Sequence, residues 1–145
     1  MTVTHTYRRA AAGILAGVGL LSGLAFAAAQ PASAADGWCN THVARTKTFS
    51  GSVYTAYIPS YNTSTNCYMA IGAQGPAVAA LQRSLDVCYG ESLVIDGQFG
   101  DRTRAALVRA QRTEGIGDDG EYGTQTRDHL KWEYTRGGAW KCARL

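Results

Sequence analysis

The sequence DGQFGDRT, which runs from Asp96 to Thr103, recurs 23 residues later as DGEYGTQT, from Asp119 to Thr126. Both copies follow the pattern Asp-Gly-polar-aromatic-Gly-x-x-Thr, and each is followed by apolar residues at helical spacing. Asp-Gly is a turn dipeptide, because the carboxylate accepts hydrogen bonds from nearby backbone N–H groups and glycine tolerates positive φ. The second glycine of each copy then lies where a helix begins, with threonine in its first turn. The chain is therefore predicted to contain two turn–helix units with one turn chemistry.

Three motifs stand in a fixed order around these turns. They are GPAVAALQRSL at residues 75–85, VIDGQFG at residues 94–100 and DGEYG at residues 119–123. Together they resemble the small three-helix peptidoglycan-binding domain of secreted bacterial proteins, over about residues 72–132. The resemblance implies a mainly α fold, a compact three-helix bundle with repeated Asp-Gly turns. One position departs from the family pattern: Ala110 stands before Gln111, where the family usually has an aromatic residue. We expect the core to be thinner there, or filled from elsewhere.

Four segments of different composition follow one another. We expect a signal peptide at residues 1–35, a β-rich arm at 36–71, the helical domain at 72–132 and a C-terminal tail at 133–145. The first segment combines Arg8 and Arg9 with an apolar run and small residues before Ala35, which is typical of a secretory signal peptide with its cleavage site. The alternative is a membrane anchor, because the apolar run is about 20 residues long. Cleavage would leave a mature chain without a membrane span.

Secondary structure can be assigned coarsely within these segments. In the arm, residues 43–49 and 52–58 alternate in the manner of strands on either side of Ser50-Gly51, and a third, weaker strand is indicated at 67–71. Helices are expected at residues 76–88, 101–113 and 124–132. We expect the arm to cover the helical core. The alternative is an additional recognition surface that uses Tyr54, Tyr57 and Tyr61.

The charge balance of the mature chain is nearly neutral. Of 14 Lys and Arg residues, two lie in residues 1–35, which leaves 12 against 11 Asp and Glu, a net charge of +1. A nucleic-acid-binding surface normally requires a clear excess of basic residues, so no nucleic-acid partner is expected.

Four cysteines remain in the mature chain: Cys39, Cys67, Cys88 and Cys142. An even number in a small exported protein predicts two disulfides, for which three connectivities exist. Cys88 continues the helical stripe of Val78, Leu81 and Leu85, so it should lie at the inner end of the first helix, within reach of a returning C-terminus. We therefore expect Cys39–Cys67 and Cys88–Cys142. A zinc site is the alternative, but no Cys-x-x-Cys pair is present, so no metal or other cofactor is expected.

The candidate ligand-binding residues come from the repeated turns and the helices after them. They are Gln98, Phe99, Arg102, Glu121, Tyr122 and Arg127. The two aromatic residues could stack on a sugar ring, or they could anchor the turns in the core. Arg102, Arg109 and Arg112 follow helical spacing and form either a cationic binding stripe or a solvated helix face. Asp96 and Asp119 could suggest a catalytic carboxylate pair, but their equivalent turn positions explain both without catalysis.

These observations predict a secreted, cell-wall-associated protein that binds bacterial peptidoglycan without cutting it. Recognition would use a shallow polar groove, with the protein acting as a monomer. In the expected mature chain about 36 residues precede the family-like segment and about 13 follow it, so no attached hydrolase is expected. One alternative is a secreted inhibitor or protein-interaction module, which would show a large exposed apolar patch near residues 50–62. The other is a small cell-wall hydrolase.

Overall fold

The computed structural model describes residues 36–145, and its first two strands form a long antiparallel hairpin. β1 spans Thr41–Phe49 and β2 spans Ser52–Ser60, paired along their whole length. Ser50 and Gly51 both have positive φ, 47° and 79°. A two-residue turn of this kind matches the right-handed twist of the strands it joins. The two strands predicted from the sequence are thus present, each reaching slightly further than expected.

The C-terminal residues form a second hairpin, which extends the same sheet. β3 spans Trp132–Arg136, β4 spans Ala139–Ala143, and the sheet order is β1-β2-β3-β4, antiparallel throughout. Thr55 of β2 pairs with Thr135 of β3, so the expected arm and the expected tail meet in one sheet. The prediction of a mainly α, three-helix bundle is therefore wrong. The described residues combine three helices with a four-stranded antiparallel sheet, in one compact unit.

Three helices lie between the two hairpins in the chain. α1 spans Pro76–Tyr89, α2 spans Asp101–Glu114 and α3 spans Thr124–His129. Pro76 suits the first helical position, and α1 and α2 each end at a glycine in the left-handed conformation. The third helix is shorter than predicted. Leu130 is already extended, because the chain turns there to enter β3 with Trp132 as its first residue.

The core lies between the helices and the sheet, and its largest side chains come from both. The largest fully buried hydrophobic side chains are Trp132, Tyr122, Tyr134, Phe99, Ile58, Met69, Leu81, Leu85, Leu107 and Leu130. Ala110 is also fully buried. Two of the largest buried aromatic side chains, Trp132 and Tyr134, come from strand β3 and not from a helix. Burial of each large apolar side chain contributes about 1.5–3 kcal/mol.

Two disulfides fasten the N-terminal and C-terminal segments. Cys39 is bonded to Cys67, and Cys88 at the end of α1 is bonded to Cys142 in β4. Both pairs agree with those expected from the sequence, where the helical stripe of α1 indicated Cys88–Cys142 and left Cys39–Cys67. The expected signal peptide at residues 1–35 lies outside the described residues. Within residues 36–145, no helix has both the length and the apolar character needed to cross a membrane.

Candidate functional site

The first Asp-Gly turn is built around a buried glutamine of α1. The side-chain Nε2 of Gln82 lies within hydrogen-bonding distance of Asp96 Oδ1 (2.8 Å), the Gln98 carbonyl oxygen (3.0 Å) and Thr103 Oγ1 (3.1 Å). Its Oε1 accepts a hydrogen bond from the Gly97 backbone N–H at 2.9 Å. Asp96 Oδ1 also accepts the Gln98 N–H at 2.9 Å. One amide side chain therefore joins the aspartate, the glycine and the threonine of the motif.

The second turn repeats this network around Gln111 of α2. Its Nε2 lies 2.9 Å from Asp119 Oδ1, 3.0 Å from the Glu121 carbonyl oxygen and 3.1 Å from Thr126 Oγ1. Its Oε1 accepts the Gly120 N–H at 2.9 Å, and Asp119 Oδ1 accepts the Glu121 N–H at 2.9 Å. The sequence repeat is thus a structural repeat, which includes a glutamine 14 residues before the first aspartate and 8 before the second.

Glycine is required at the second position of each turn. Gly97 and Gly120 have φ values of 70° and 72°, in the left-handed region that residues with a Cβ atom rarely adopt. A Cβ at Gly97 would lie 3.0 Å from the Gly75 carbonyl oxygen, and one at Gly120 would lie 2.7 Å from Arg104 Cγ. Positive φ and close packing together explain why Asp-Gly begins both motifs.

Both turns are tied to one short segment of backbone. Met69 exchanges two backbone hydrogen bonds with Tyr122 of the second turn, at 3.0 and 2.8 Å. Phe99 of the first turn donates to the Ala73 carbonyl and accepts from the Gly72 N–H, both at 2.9 Å. Met69 and Ala73 are four residues apart, so the two points at which the turns are attached are at most about 14 Å apart, measured between the Cα atoms of Met69 and Ala73. The expected third strand at residues 67–71 forms only isolated bridges, to Trp38 and Tyr122.

Phe99 and Tyr122 have core positions rather than surface positions. Phe99 is 2% exposed and Tyr122 is 0% exposed, and Tyr122 packs edge-on against Trp132 with ring centroids 6.1 Å apart. Burial raises the pKa of the Tyr122 hydroxyl far above its ordinary value. That hydroxyl has no hydrogen-bond partner within the described part of the chain. Of the two roles considered for these rings, the structure fits the turn anchor and leaves neither ring exposed for stacking on a sugar.

Gln98 and Arg102 lie together on the surface of the first turn. Both are exposed and line an open cleft of about 390 Å³, beside Asp101 and the exposed side chain of Val94. The Arg102 guanidinium has no ion-pair or hydrogen-bond partner among residues 36–145. The other two arginines of the expected stripe are engaged: Arg109 bonds to Glu91, and Arg112 bonds to Asp118. The cationic stripe thus provides one free guanidinium, at the first turn.

The second turn presents Glu121 instead. Glu121 is exposed, and burial together with a hydrogen bond to Glu121 raises the pKa of the Tyr68 hydroxyl to about 12. The Trp38 ring packs edge-on against Tyr68 with centroids 4.9 Å apart, and Trp38 is about half-exposed. Arg127 is not free: its side chain is only 17% exposed and bonds to Asp128 Oδ1 (2.7 Å) and Thr65 Oγ1 (3.2 Å).

Comparison with known proteins identifies the family. Residues 74–130 match the family model described as "Putative peptidoglycan binding domain". The solved N-terminal domain of SleB is 34% identical, with a TM-score of 0.41, over 43% of this chain and 85% of that domain. The chain belongs to the peptidoglycan-binding domain family. A peptidoglycan-binding protein from Clostridioides difficile, solved with glutamine hydroxamate, is 27% identical with a TM-score of 0.45, over 60% of this chain and 56% of that protein. Among curated proteins, none matches the chain.

The family segment contains both turns but not the aromatic residues beside them. Trp38 and Tyr68 precede the matched residues 74–130. Each is next in sequence to a cysteine of the Cys39–Cys67 disulfide, and their rings pack together beside the second turn. Sequence reasoning did not assign a role to these two residues, or to Gln82 and Gln111. The repeat offered a signal for the glutamines, because each lies in a helix before an Asp-Gly turn. Within the part of the chain that the structure describes, no three His, Cys, Asp or Glu side chains are grouped so as to hold a metal ion.

Proposed function

We propose that the protein binds bacterial peptidoglycan without cleaving it, on the surface that joins the two Asp-Gly turns. The observation that carries this proposal is the attachment of both turns to the Met69–Ala73 backbone. That attachment keeps two exposed polar residues, Gln98 and Glu121, at equivalent positions of two rigid loops. A long ligand made of repeating polar units could contact both loops at once. Membership of the peptidoglycan-binding domain family supports this class of ligand.

The two turns differ in charge, and this difference suggests how a ligand is oriented. The first turn offers the free guanidinium of Arg102, which suits a carboxylate of the stem peptide. The second turn offers the Glu121 carboxylate and the Tyr68 ring, which suit hydroxyl or amide N–H donors of the glycan or peptide. The half-exposed Trp38 beside Tyr68 adds an apolar face for a sugar ring. The site is shallow, so the affinity should be modest.

A non-catalytic role is supported by the use of the two turn aspartates. Asp96 and Asp119 each accept hydrogen bonds from a backbone N–H and from a glutamine side chain, which fixes both in structural networks. The two disulfides support a location outside the cytosol, since such bonds persist in oxidising compartments. We therefore propose a secreted, cell-wall-associated binding protein.

Sedimentation with purified insoluble peptidoglycan tests the proposal, with a parallel assay for released soluble fragments. We expect retention without release. Gln98→Ala removes a side chain for which no internal hydrogen bond is present among residues 36–145, so it should weaken binding about two- to tenfold and leave folding unchanged. Lys141→Ala, an exposed residue of β4 outside both turns, is the control and should bind as wild type.

Salt dependence tests the assigned role of Arg102. Arg102→Gln should weaken binding at low ionic strength and reduce its dependence on salt, because a charge pair is lost. Arg136→Gln, another exposed arginine but in β3, is the control. Release of fragments would indicate a hydrolase. Absence of retention at every salt concentration would refute wall binding and favour the protein-interaction alternative.

A further inference from the structure

A second pocket lies away from the turns, where α1 meets one face of the sheet. Its volume is about 320 Å³, near the lower end of the range found for small-molecule sites. Tyr57 of β2 and Glu133 and Thr135 of β3 line it from the sheet, and Ala79, Ala80 and Arg83 line it from α1. Glu133 and Thr135 share a face because alternate residues of a strand point the same way. The strands of this wall lie outside the family segment at residues 74–130.

The pocket contains a buried carboxylate without a hydrogen-bond donor. The Glu133 side chain is 9% exposed, and its Oε2 has no hydrogen-bond partner within residues 36–145. The nearest cation is Arg83, whose Nε lies 3.9 Å away and whose side chain is 59% exposed. At 3.9 Å the guanidinium attracts the carboxylate but does not form a hydrogen bond with it. Burial raises the pKa of Glu133, Arg83 opposes that rise, and Asp86 adds to it.

A second carboxylate of the same protein, that of Glu91, is equally buried but has hydrogen-bond donors. The Glu91 side chain is also 9% exposed, but Arg109 Nε donates to both of its oxygens, at 3.2 and 2.9 Å. A buried carboxylate is costly unless it is paired and hydrogen-bonded. Glu91 meets this requirement internally, whereas Glu133 Oε2 has no hydrogen-bond donor among residues 36–145. The negative charge of Glu133 favours a cationic ligand group beside it over an anionic one.

The remaining walls suit an aliphatic chain. Pro76, Ala79 and Ala80 offer methyl and methylene groups along α1, and Ile95 closes one side. The Tyr57 ring is half-exposed and contacts the His42 ring of β1 edge-on, with ring centroids 4.7 Å apart. A cation near the face of a tyrosine ring is also attracted to it. The pocket therefore combines an apolar passage with a negative group and an aromatic ring.

We infer that this pocket binds an ammonium group carried on a short aliphatic chain, as in a diamino acid of the lysine type, with Glu133 as its counter-charge. The ammonium donates hydrogen bonds to the carboxylate, and the chain packs along Pro76, Ala79 and Ala80. Arg83, which is mostly exposed, remains at the rim, where it can contact a carbonyl or carboxylate of the same ligand. This inference does not rest on the proposed wall binding.

The test is an NMR titration of the mature protein with Nα-acetyl-lysine amide, compared with the same compound acetylated on Nε. We expect weak, saturable shifts at Tyr57, Ala79 and Glu133 with the free amine, with a dissociation constant in about the millimolar range. The Nε-acetylated compound, which lacks the charge, should bind about tenfold to a hundredfold more weakly. Equal binding of both compounds, or no saturable shift with either, would overturn the inference.

Three variants complete the test. Glu133→Gln keeps the shape of the side chain and should reduce amine binding by the same factor, whereas Glu91→Gln removes an equally buried carboxylate elsewhere and should leave amine binding unchanged. Ala79→Leu narrows the pocket without changing its charge and should abolish binding of the amine. It provides the decisive measurement if Glu133→Gln fails to give a native spectrum. If Glu133 merely pairs with Arg83, all variants will give the same amine response as wild type, and the inference fails.

Discussion

The structural role of Gln111 leads to a sharp prediction about stability. Gln111→Leu replaces a buried amide by an apolar side chain of similar size, so the Gly120 N–H and Thr126 Oγ1 lose buried hydrogen bonds. The Gly120 N–H is left without an acceptor, which costs about 1–3 kcal/mol. Thr126 Oγ1 keeps its hydrogen bond to the Glu121 carbonyl, so the bond that it loses costs about 0.5–1.5 kcal/mol, and Asp119 can bond to water instead. We expect a loss of about 2–4 kcal/mol in the free energy of unfolding, partly offset by the apolar side chain. For a chain of this size, that corresponds to a decrease of about 8–16 °C in Tm.

Gln111→Glu keeps the shape of the side chain but removes its hydrogen-bond donor, so it tests the donor role alone. A carboxylate at this position would face Asp119 Oδ1 and the Glu121 carbonyl without a proton to donate, so like charges would meet where an amide now binds. We expect a loss at pH 7 at least as large as that of Gln111→Leu. The new carboxyl should have a raised pKa in the folded state. Its penalty should therefore decrease as the pH falls through that pKa, since the protonated acid can donate.

The assay is thermal and urea unfolding of both variants with the disulfides intact. Gln82→Leu and Gln82→Glu should give matching losses, because the first turn has the same four bonds at nearly the same distances. Gln125→Leu and Gln125→Glu, on the exposed surface of α3, are the controls and should change stability by less than about 0.5 kcal/mol. A Gln111→Glu protein as stable as wild type at pH 7 would refute the assigned donor role.

Three further predictions concern the core, the turn carboxylate and the C-terminal disulfide. Tyr122→Phe removes a buried hydroxyl without a partner and should keep or raise the Tm, whereas Tyr122→Ala should cost about 3–5 kcal/mol in chemical unfolding. Hydrogen bonds from Gln82 and the Gln98 N–H lower the pKa of Asp96, so wild type should lose stability as the pH falls below about 4. Asp96→Asn should flatten that acid loss, and Asp96→Leu should destabilise at every pH, both measured by Tm against pH. Replacing Cys88 and Cys142 by serine opens a loop with a sequence separation of 54 residues and should cost about 4 kcal/mol in urea unfolding.

The parts of the fold that sequence reasoning located correctly are those determined by local chemistry. Pro76 at the start of α1 and the glycines that end α1 and α2 are capping signals within one or two residues of the observed bounds. The Ser50-Gly51 turn likewise located the β1–β2 hairpin. Cys88 could be paired with Cys142 because a helical stripe fixes its direction without knowledge of the partner strand.

The sheet could not be completed from the sequence in the same way. Pairing of β2 with β3 joins Thr55 to Thr135, 80 residues apart, and no local pattern specifies such a contact. A local signal for the second hairpin was nevertheless present. Gly137-Gly138 is a two-residue turn between segments in which Trp132 and Tyr134 alternate with polar residues. Residues 133–145 were instead predicted to form a tail, the family resemblance led to a mainly α fold class, and that fold class was wrong.

At the candidate site, the sequence repeat predicts where the turns lie, but only the packing of the core determines which of their side chains are exposed. The repeat identified the turn positions but not their orientation: in each copy the aromatic residue points into the core, while the polar residue before it points outward. Phe99 and Tyr122 thus anchor the turns in the core, and the side chains of Gln98 and Glu121 are left exposed. The free state of Arg102 and the bonded state of Arg127 could not be predicted from the sequence, because the partner Thr65 lies 62 residues from Arg127.

The buried glutamines connect the stability of the turns to their capacity to bind. Gln82 and Gln111 fix the carbonyl groups of Gln98 and Glu121, the residues whose side chains are exposed. A loop already held in one conformation has less entropy to lose when it binds, so a few polar contacts suffice for a modest but specific affinity. The two loops also have equivalent frames with different exposed charges. A repeating ligand would therefore meet two sites that are alike in shape and distinct in electrostatics, which gives a linear polymer a preferred direction on this surface.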